Sequence, residues 1–136
     1  MDGYEVVDTA DVPRMDMGDL LDGMLDLDAR RVQAALGTDE SVVSVWYFEP
    51  GDEMPHHIHT DQEEVFYVLD GEFEVALGEA GDVERRTIDE GTFYAAGPEV
   101  GHGHKYVGDD EGRILAIGAP NVPDINTDSW TPVDEA

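Results

Sequence analysis

From Ser41 to Ala119 the chain is a series of short β-prone runs, each closed by a turn that carries glycine, proline or acidic residues, and this rhythm restricts the fold more than any other property. The runs are Ser41 to Phe48, Glu64 to Leu69, Glu72 to Leu77, Val83 to Ile88, Thr92 to Ala96, His102 to Val107 and Arg113 to Ala119. Branched and aromatic residues dominate most of them, as suits a pleated, half-buried surface. Short strands at this spacing with few helices predict an all-β, antiparallel sandwich or barrel. Asp70-Gly71 reads as a two-residue hairpin link.

Upstream, Tyr4 to Val7 predicts a short edge strand ended near Pro13. Arg30 to Leu36 predicts another strand, because Val32, Ala34 and Leu36 alternate onto one face. Met17, Leu20, Leu21, Met24 and Leu25 recur at helical spacing, but Gly18 and Gly23 weaken a helix, so a helical turn or a loop over the barrel is expected. At most one short N-terminal helix results. Pro120, Pro123 and Pro132 predict an extended tail over 120–136, with Trp130 packed on the barrel or on a neighbouring subunit.

Chemistry concentrates between Gly51 and Gly71. His57 and His59 are two apart, which on an extended strand puts both imidazoles on one face. Glu64 follows five residues later, within reach of a short turn. Two imidazoles and a carboxylate are a plausible donor set for a divalent transition metal, and a polar hairpin with solvated histidines is the alternative. Glu63 is the competing carboxylate, but it points the opposite way along the strand. The chain has five histidines, and they fall in two groups: His56, His57 and His59, then His102 and His104. Should the second segment pair near the first, His102 supplies a third imidazole.

These residues carry a resemblance to the cupin family. Its first motif, G(x)5HxH(x)3–4E(x)6G, is matched in full by Gly51, His57, His59, Glu64 and Gly71. Of its second, G(x)5PxG(x)2H(x)3N, Gly91 and His102 stand at the family spacing. Gly97 takes the proline position with Pro98 one place late, Glu99 takes the second glycine position and Tyr106 the terminal asparagine. The resemblance covers roughly residues 41–119 and implies a double-stranded β-helix (jelly-roll) barrel with core about 30–119, an N-terminal arm 1–29 and the tail 120–136. It implies His57, His59, Glu64 and His102 as ligands of one divalent metal per chain, iron or manganese in preference to zinc, nickel or copper. It also implies a homodimer and a small-molecule substrate. Dioxygenase-type oxidation leads among the family's activities, with isomerase or lyase chemistry or non-catalytic binding as alternatives.

Beside the expected ligands, His104 and Tyr106 share a strand face with His102. If that face lines the barrel, they are candidate catalytic residues, His104 as a substrate contact or acid/base group; a hydrogen-bonded interior histidine is the alternative. His56 lies on the opposite face and is expected to be exposed or bonded to a neighbour. Met54, Phe66 and Phe93 or Tyr94 are candidates for an apolar lining.

Composition narrows the partners. With 136 residues, one compact domain is the simplest organisation. No cysteine is present, so disulfides and thiolate metal sites are excluded. The acidic opening MDGYEVVDTADVPRM lacks a basic n-region and an apolar core, and no apolar run approaches the ~20 residues that span a bilayer. A cytoplasmic protein without membrane or nucleic-acid partners is expected, the latter because no basic patch exists to meet phosphates. The 33 acidic residues against 7 basic ones give a formal net charge of -26, a balance resembling that of proteins from extreme halophiles. At ~1 M salt, screening over about 3 Å removes most of the self-repulsion.

Overall fold

The computed structural model describes residues 3–19, 25–122 and 129–136. Among these residues ten strands form two antiparallel sheets. They are β1 (Arg14–Asp16), β2 (Asp28–Arg30), β3 (Val42–Phe48), β4 (Glu53–His57), β5 (Glu63–Asp70), β6 (Phe73–Leu77), β7 (Glu84–Ile88), β8 (Phe93–Ala96), β9 (His102–Tyr106) and β10 (Gly112–Ala119). The larger sheet runs β1-β2-β3-β10-β5-β8 and the smaller β4-β9-β6-β7. One short helix, α1 (Val32–Leu36), lies among the described residues. No described helix is long and apolar enough to cross a membrane.

The inward residues of both sheets meet in one apolar cluster. Phe48 and Ile114 come from the larger sheet, and Met54, Phe73 and Tyr106 from the smaller. Phe48 and Phe73 are fully buried and meet edge to face at 5.0 Å. Each such ring contributes roughly 1.5–3 kcal/mol of burial, and the edge-to-face geometry adds about 0.5–1.5 kcal/mol. Along β5 the side chains alternate, with Phe66 and Val68 buried in this cluster.

Three expectations are corrected. Asp70-Gly71 is not a hairpin: β5 belongs to the larger sheet and β6 to the smaller, so the chain changes sheets there. Gly71 has φ +98°, and a Cβ on it would stand 2.7 Å from the Tyr106 ring. A sharp corner and a close approach therefore both demand glycine, and the same dipeptide signal serves a corner as well as a hairpin. Arg30 to Leu36 is not one strand, for Asp28–Arg30 pairs with β3 and Val32–Leu36 is α1. Over five residues, Val32 and Leu36 also satisfy the i, i+4 spacing of a helix, and Gly37 ends it in the left-handed conformation, donating its N–H to Gln33 O. Tyr4 to Val7 forms no strand; Tyr4 and Val6 are exposed, and the edge strand is Arg14–Asp16.

Near the termini, Met17–Asp19 is a single 3-10 turn, while Leu20, Leu21 and Met24 of the helical pattern lie outside the described residues. The tail is extended only in part. Thr131 bridges to His56 and Val133–Glu135 forms a 3-10 turn with Val133 fully buried. Trp130 packs against the barrel's own core, the first of its two expected placements.

Candidate metal centre

Three elements bring the histidines and Glu64 together. β4 ends at His57, which pairs with His102 at the start of β9. Glu64 comes from β5 in the other sheet, held between Gly118 and Ala96. His59 is not on the strand that the two-residue spacing suggests; it lies in the loop beyond β4. Its carbonyl accepts the Glu99 N–H at 2.6 Å, which ties this loop to the one before β9. Glu99 has φ 65°. The family glycine at this position is thus replaced, yet the left-handed turn that glycine favours is kept.

Each side chain is aimed by a second contact. His57 Nδ1 lies 2.6 Å from Pro55 O, and His102 Nδ1 lies 3.0 Å from Val100 O. A carbonyl only accepts, so both Nδ1 atoms carry the proton and both Nε2 atoms present a lone pair. Those Nε2 atoms face one another and Glu64. His57 Nε2 is 3.1 Å from His59 Nε2, and Glu64 Oε1 is 2.8 Å from His59 Nε2, 2.9 Å from His102 Nε2 and 3.8 Å from His57 Nε2.

Lone pairs and a carboxylate gathered so closely repel unless a proton or a cation sits among them, and a metal ion meets that need with all four donors at once. Neighbouring ligands about 2.1 Å from an ion are themselves about 3 Å apart, close to the separations found. The four ligand atoms lie within 4.8 Å of one another, and the residues therefore fit a divalent metal. Glu63, the competing carboxylate, is exposed on the opposite face of β5.

The electrostatics agree. Burial works against charge on Glu64, but the imidazoles of His102, His57 and His59 outweigh it and hold the carboxyl well below its usual range. Burial lowers His57, which keeps its ring neutral and available as a ligand.

Beside the donors lies a cavity of about 200 Å³. Leu25, Val42, Trp46, Met54, Phe66 and Val122 form its apolar wall, and Trp130 closes it with its ring 5.4 Å from that of His57. Gln62 is the polar exception outside the donor set, and its amide donates to Pro120 O at 3.0 Å. Of the expected lining, Met54 and Phe66 are in place. Phe93 is 66% exposed on the outside, and Tyr94 stacks behind Phe66 at 4.6 Å. Leu25, Trp46, Gln62 and Trp130 had no signal in the spacing of the motifs; only the expectation that Trp130 packs on the barrel pointed this way.

His104 and Tyr106 are placed differently. His104 is fully buried among Phe48, Phe66 and Phe73, with Nδ1 hydrogen-bonded to the Tyr94 hydroxyl. Burial, then the neighbouring His102 and His57, lower its pKa to about 3. The structure thus shows the interior, hydrogen-bonded histidine. Tyr106 packs on Phe73 and its hydroxyl accepts the Asp110 N–H at 3.1 Å. Neither is among the described residues that line the cavity. His56 is buried, with Nε2 donating to Gly78 O at 2.8 Å, so it is bonded to a neighbour rather than exposed.

Comparison with known proteins matches this architecture. The family described as "Cupin domain" matches residues 44–118. Among curated proteins nothing matches. Among solved structures, KdgF from Halomonas sp. superposes with a TM-score of 0.70 at 18% identity, covering 88% of this chain and 96% of that one. A Klebsiella pneumoniae protein with a double-stranded beta-helix domain is 31% identical, with a TM-score of 0.54 over 61% of this chain and 70% of that one. A recombinant oxalate oxidase in complex with glycolate gives 0.56 at 22% identity, covering 61% of this chain and 43% of that one.

Proposed function

This chain belongs to the cupin family, and on that footing we propose that it is a metal-dependent enzyme oxidising a small organic molecule with dioxygen. The observation that supports this reading is the convergence of His57, His59, Glu64 and His102 beside a cavity of about 200 Å³. Three nitrogens and one carboxylate oxygen suit iron or manganese, with zinc, nickel and copper as alternatives. Four protein donors on a six-coordinate ion leave about two positions for exogenous ligands, which a reactive centre needs and a structural one does not. When bound, such a metal supplies the redox chemistry and the attachment points for substrate and dioxygen.

The chain's own residues prepare the place. Pro55 O and Val100 O fix the tautomer and direction of His57 and His102. Leu25, Trp46 and Phe66 keep bulk water from the donors and bury the substrate's apolar part. Oxidation is favoured over isomerase or lyase chemistry by the wall itself. Those reactions need a proton carrier beside the substrate, and among the described lining residues no titratable group stands outside the donor set.

Purified protein is expected to take up about one divalent metal per chain, measured by elemental analysis, and His57→Ala or His102→Ala to abolish most of it. Iron- or manganese-loaded protein should consume oxygen with one class among catechols, flavonols, diketones, thiols and keto-sugars. Full metal loading with no oxygen uptake and no product across that panel overturns the enzyme reading and leaves a metal- or ligand-binding protein.

A further inference from the structure

We infer that the cavity selects a small ligand with an apolar body and at most one negative charge, and that it rejects compact dianions, such as fumarate, whose two carboxylates cannot both reach one ion. This inference rests on the metal-centre reading above and adds the class of ligand. The observation that carries it is a mismatch between the chain's charges and its cavity. None of its 7 lysine and arginine side chains lines the cavity. Arg85, Lys105 and Arg113 are committed elsewhere, to Glu74, Asp134 and Asp70. Arg14 bridges Asp28 and Glu111, and Arg30 bonds the Tyr47 hydroxyl.

A ligand bound through one carboxylate or one enolate can place that charge on the metal. A second carboxylate too far from the first to reach the same ion would then lie against Trp46, Phe66, Val42 or Leu25, with neutral partners such as Gln62 and no cation beside it. Burying a charge with no opposite charge beside it is strongly unfavourable. The surrounding protein adds to this, because a formal net charge of -26 repels anions on approach. An apolar body, by contrast, gains from the same wall.

Both tryptophans of the chain, Trp46 and Trp130, line this cavity, so its occupancy is readable in their fluorescence without any turnover. The zinc-loaded full chain, redox-silent, is titrated with benzoate and fumarate, after calorimetry with zinc alone and with metal content checked after each titration. Benzoate is expected to shift the emission and to bind at least ~10-fold more tightly than fumarate. Val42→Arg is expected to reverse the preference by raising fumarate affinity at least ~10-fold, while Val42→Leu does not reverse it. Normal zinc uptake with fumarate binding as tightly as benzoate, or with no response to benzoate, overturns the selectivity alone. Failure to take up zinc overturns the metal-centre reading and the selectivity with it. If Val42→Arg does not fold, judged by circular dichroism, the wild-type ratio of benzoate to fumarate still decides.

Discussion

Replacing Glu64 by glutamine changes the donor set with almost no change in shape, and the consequence can be worked through. Glu64 Oε1 lies 2.8 to 2.9 Å from two imidazole nitrogens, so its charge is the only anionic contribution among the four donors. Four-ligand structural zinc sites are worth about 10–16 kcal/mol, which makes one ligand worth roughly 2.5–4 kcal/mol. That corresponds to about 100-fold weaker binding or more. Metal at ~1,000 times its dissociation constant stabilises the wild type by about 4.1 kcal/mol, a rise of roughly 10–20 °C in Tm for a chain of this size. At the same metal concentration, Glu64→Gln should retain about 1.4 kcal/mol, or roughly a third of that rise. Thermal unfolding with and without zinc or manganese reads the shift, and calorimetry reads the affinity directly. The exposed Glu63 provides the control, and Glu63→Gln should behave as wild type. A metal-induced rise in Glu64→Gln equal to the wild type's would show that the ion binds elsewhere and refute the reasoning.

Three further outcomes are expected. Glu99→Gly should raise stability by about 0.5–1 kcal/mol, because it relieves a left-handed glutamate while keeping the N–H that His59 O accepts; a lower denaturant midpoint would contradict this. Gly103→Ala should cost more than ~2 kcal/mol and weaken metal uptake, since the added Cβ would stand 2.6 Å from His56 N and 2.9 Å from Met54 O; an unchanged midpoint would rule out the close approach. Burial holds His104 at about 3 against 6.5 for a free imidazole, so between those values the unfolded chain binds more protons and stability falls as pH is lowered. In metal-free protein this amounts to about 2 kcal/mol between pH 7 and 5, and His104→Phe should flatten the slope by that much in urea melts at the two pH values.

What the sequence reveals depends on how local the information is. His57, His59, Glu64 and His102 were readable because the resembled motifs fix residue type and spacing together, and they are the four that converge. The route to convergence was less readable. His59 reaches the cluster from a loop rather than from the strand face, because β4 ends at His57. Val32 to Leu36 is short enough to satisfy both the two-residue and the helical period, and Gly37 decides between them. Asp70-Gly71 signals a tight reversal of the chain but not the sheet to which the next strand belongs. His104 and Tyr106 share the face of His102, as expected, yet a strand face in a narrow barrel passes from the site into solid core within a few residues. Trp130 reaches the cavity through tertiary packing, which no local pattern announces.

The docking of residues 131–136 on the smaller sheet makes the metal centre and the tail one thermodynamic unit. His56 exchanges two backbone hydrogen bonds with Thr131, at 2.7 and 2.9 Å, next door to the candidate ligand His57. Glu53 accepts the Val133 N–H from the same strand, and Arg85 grips the Val133 and Ala136 carbonyls. Peeling this strap away would remove the outer support of β4 and uncover Trp130, so an ion that favours the assembled centre must also favour the fastened strap, by the same factor in both directions. Protease access to the last turn therefore doubles as a gauge of how full the centre is.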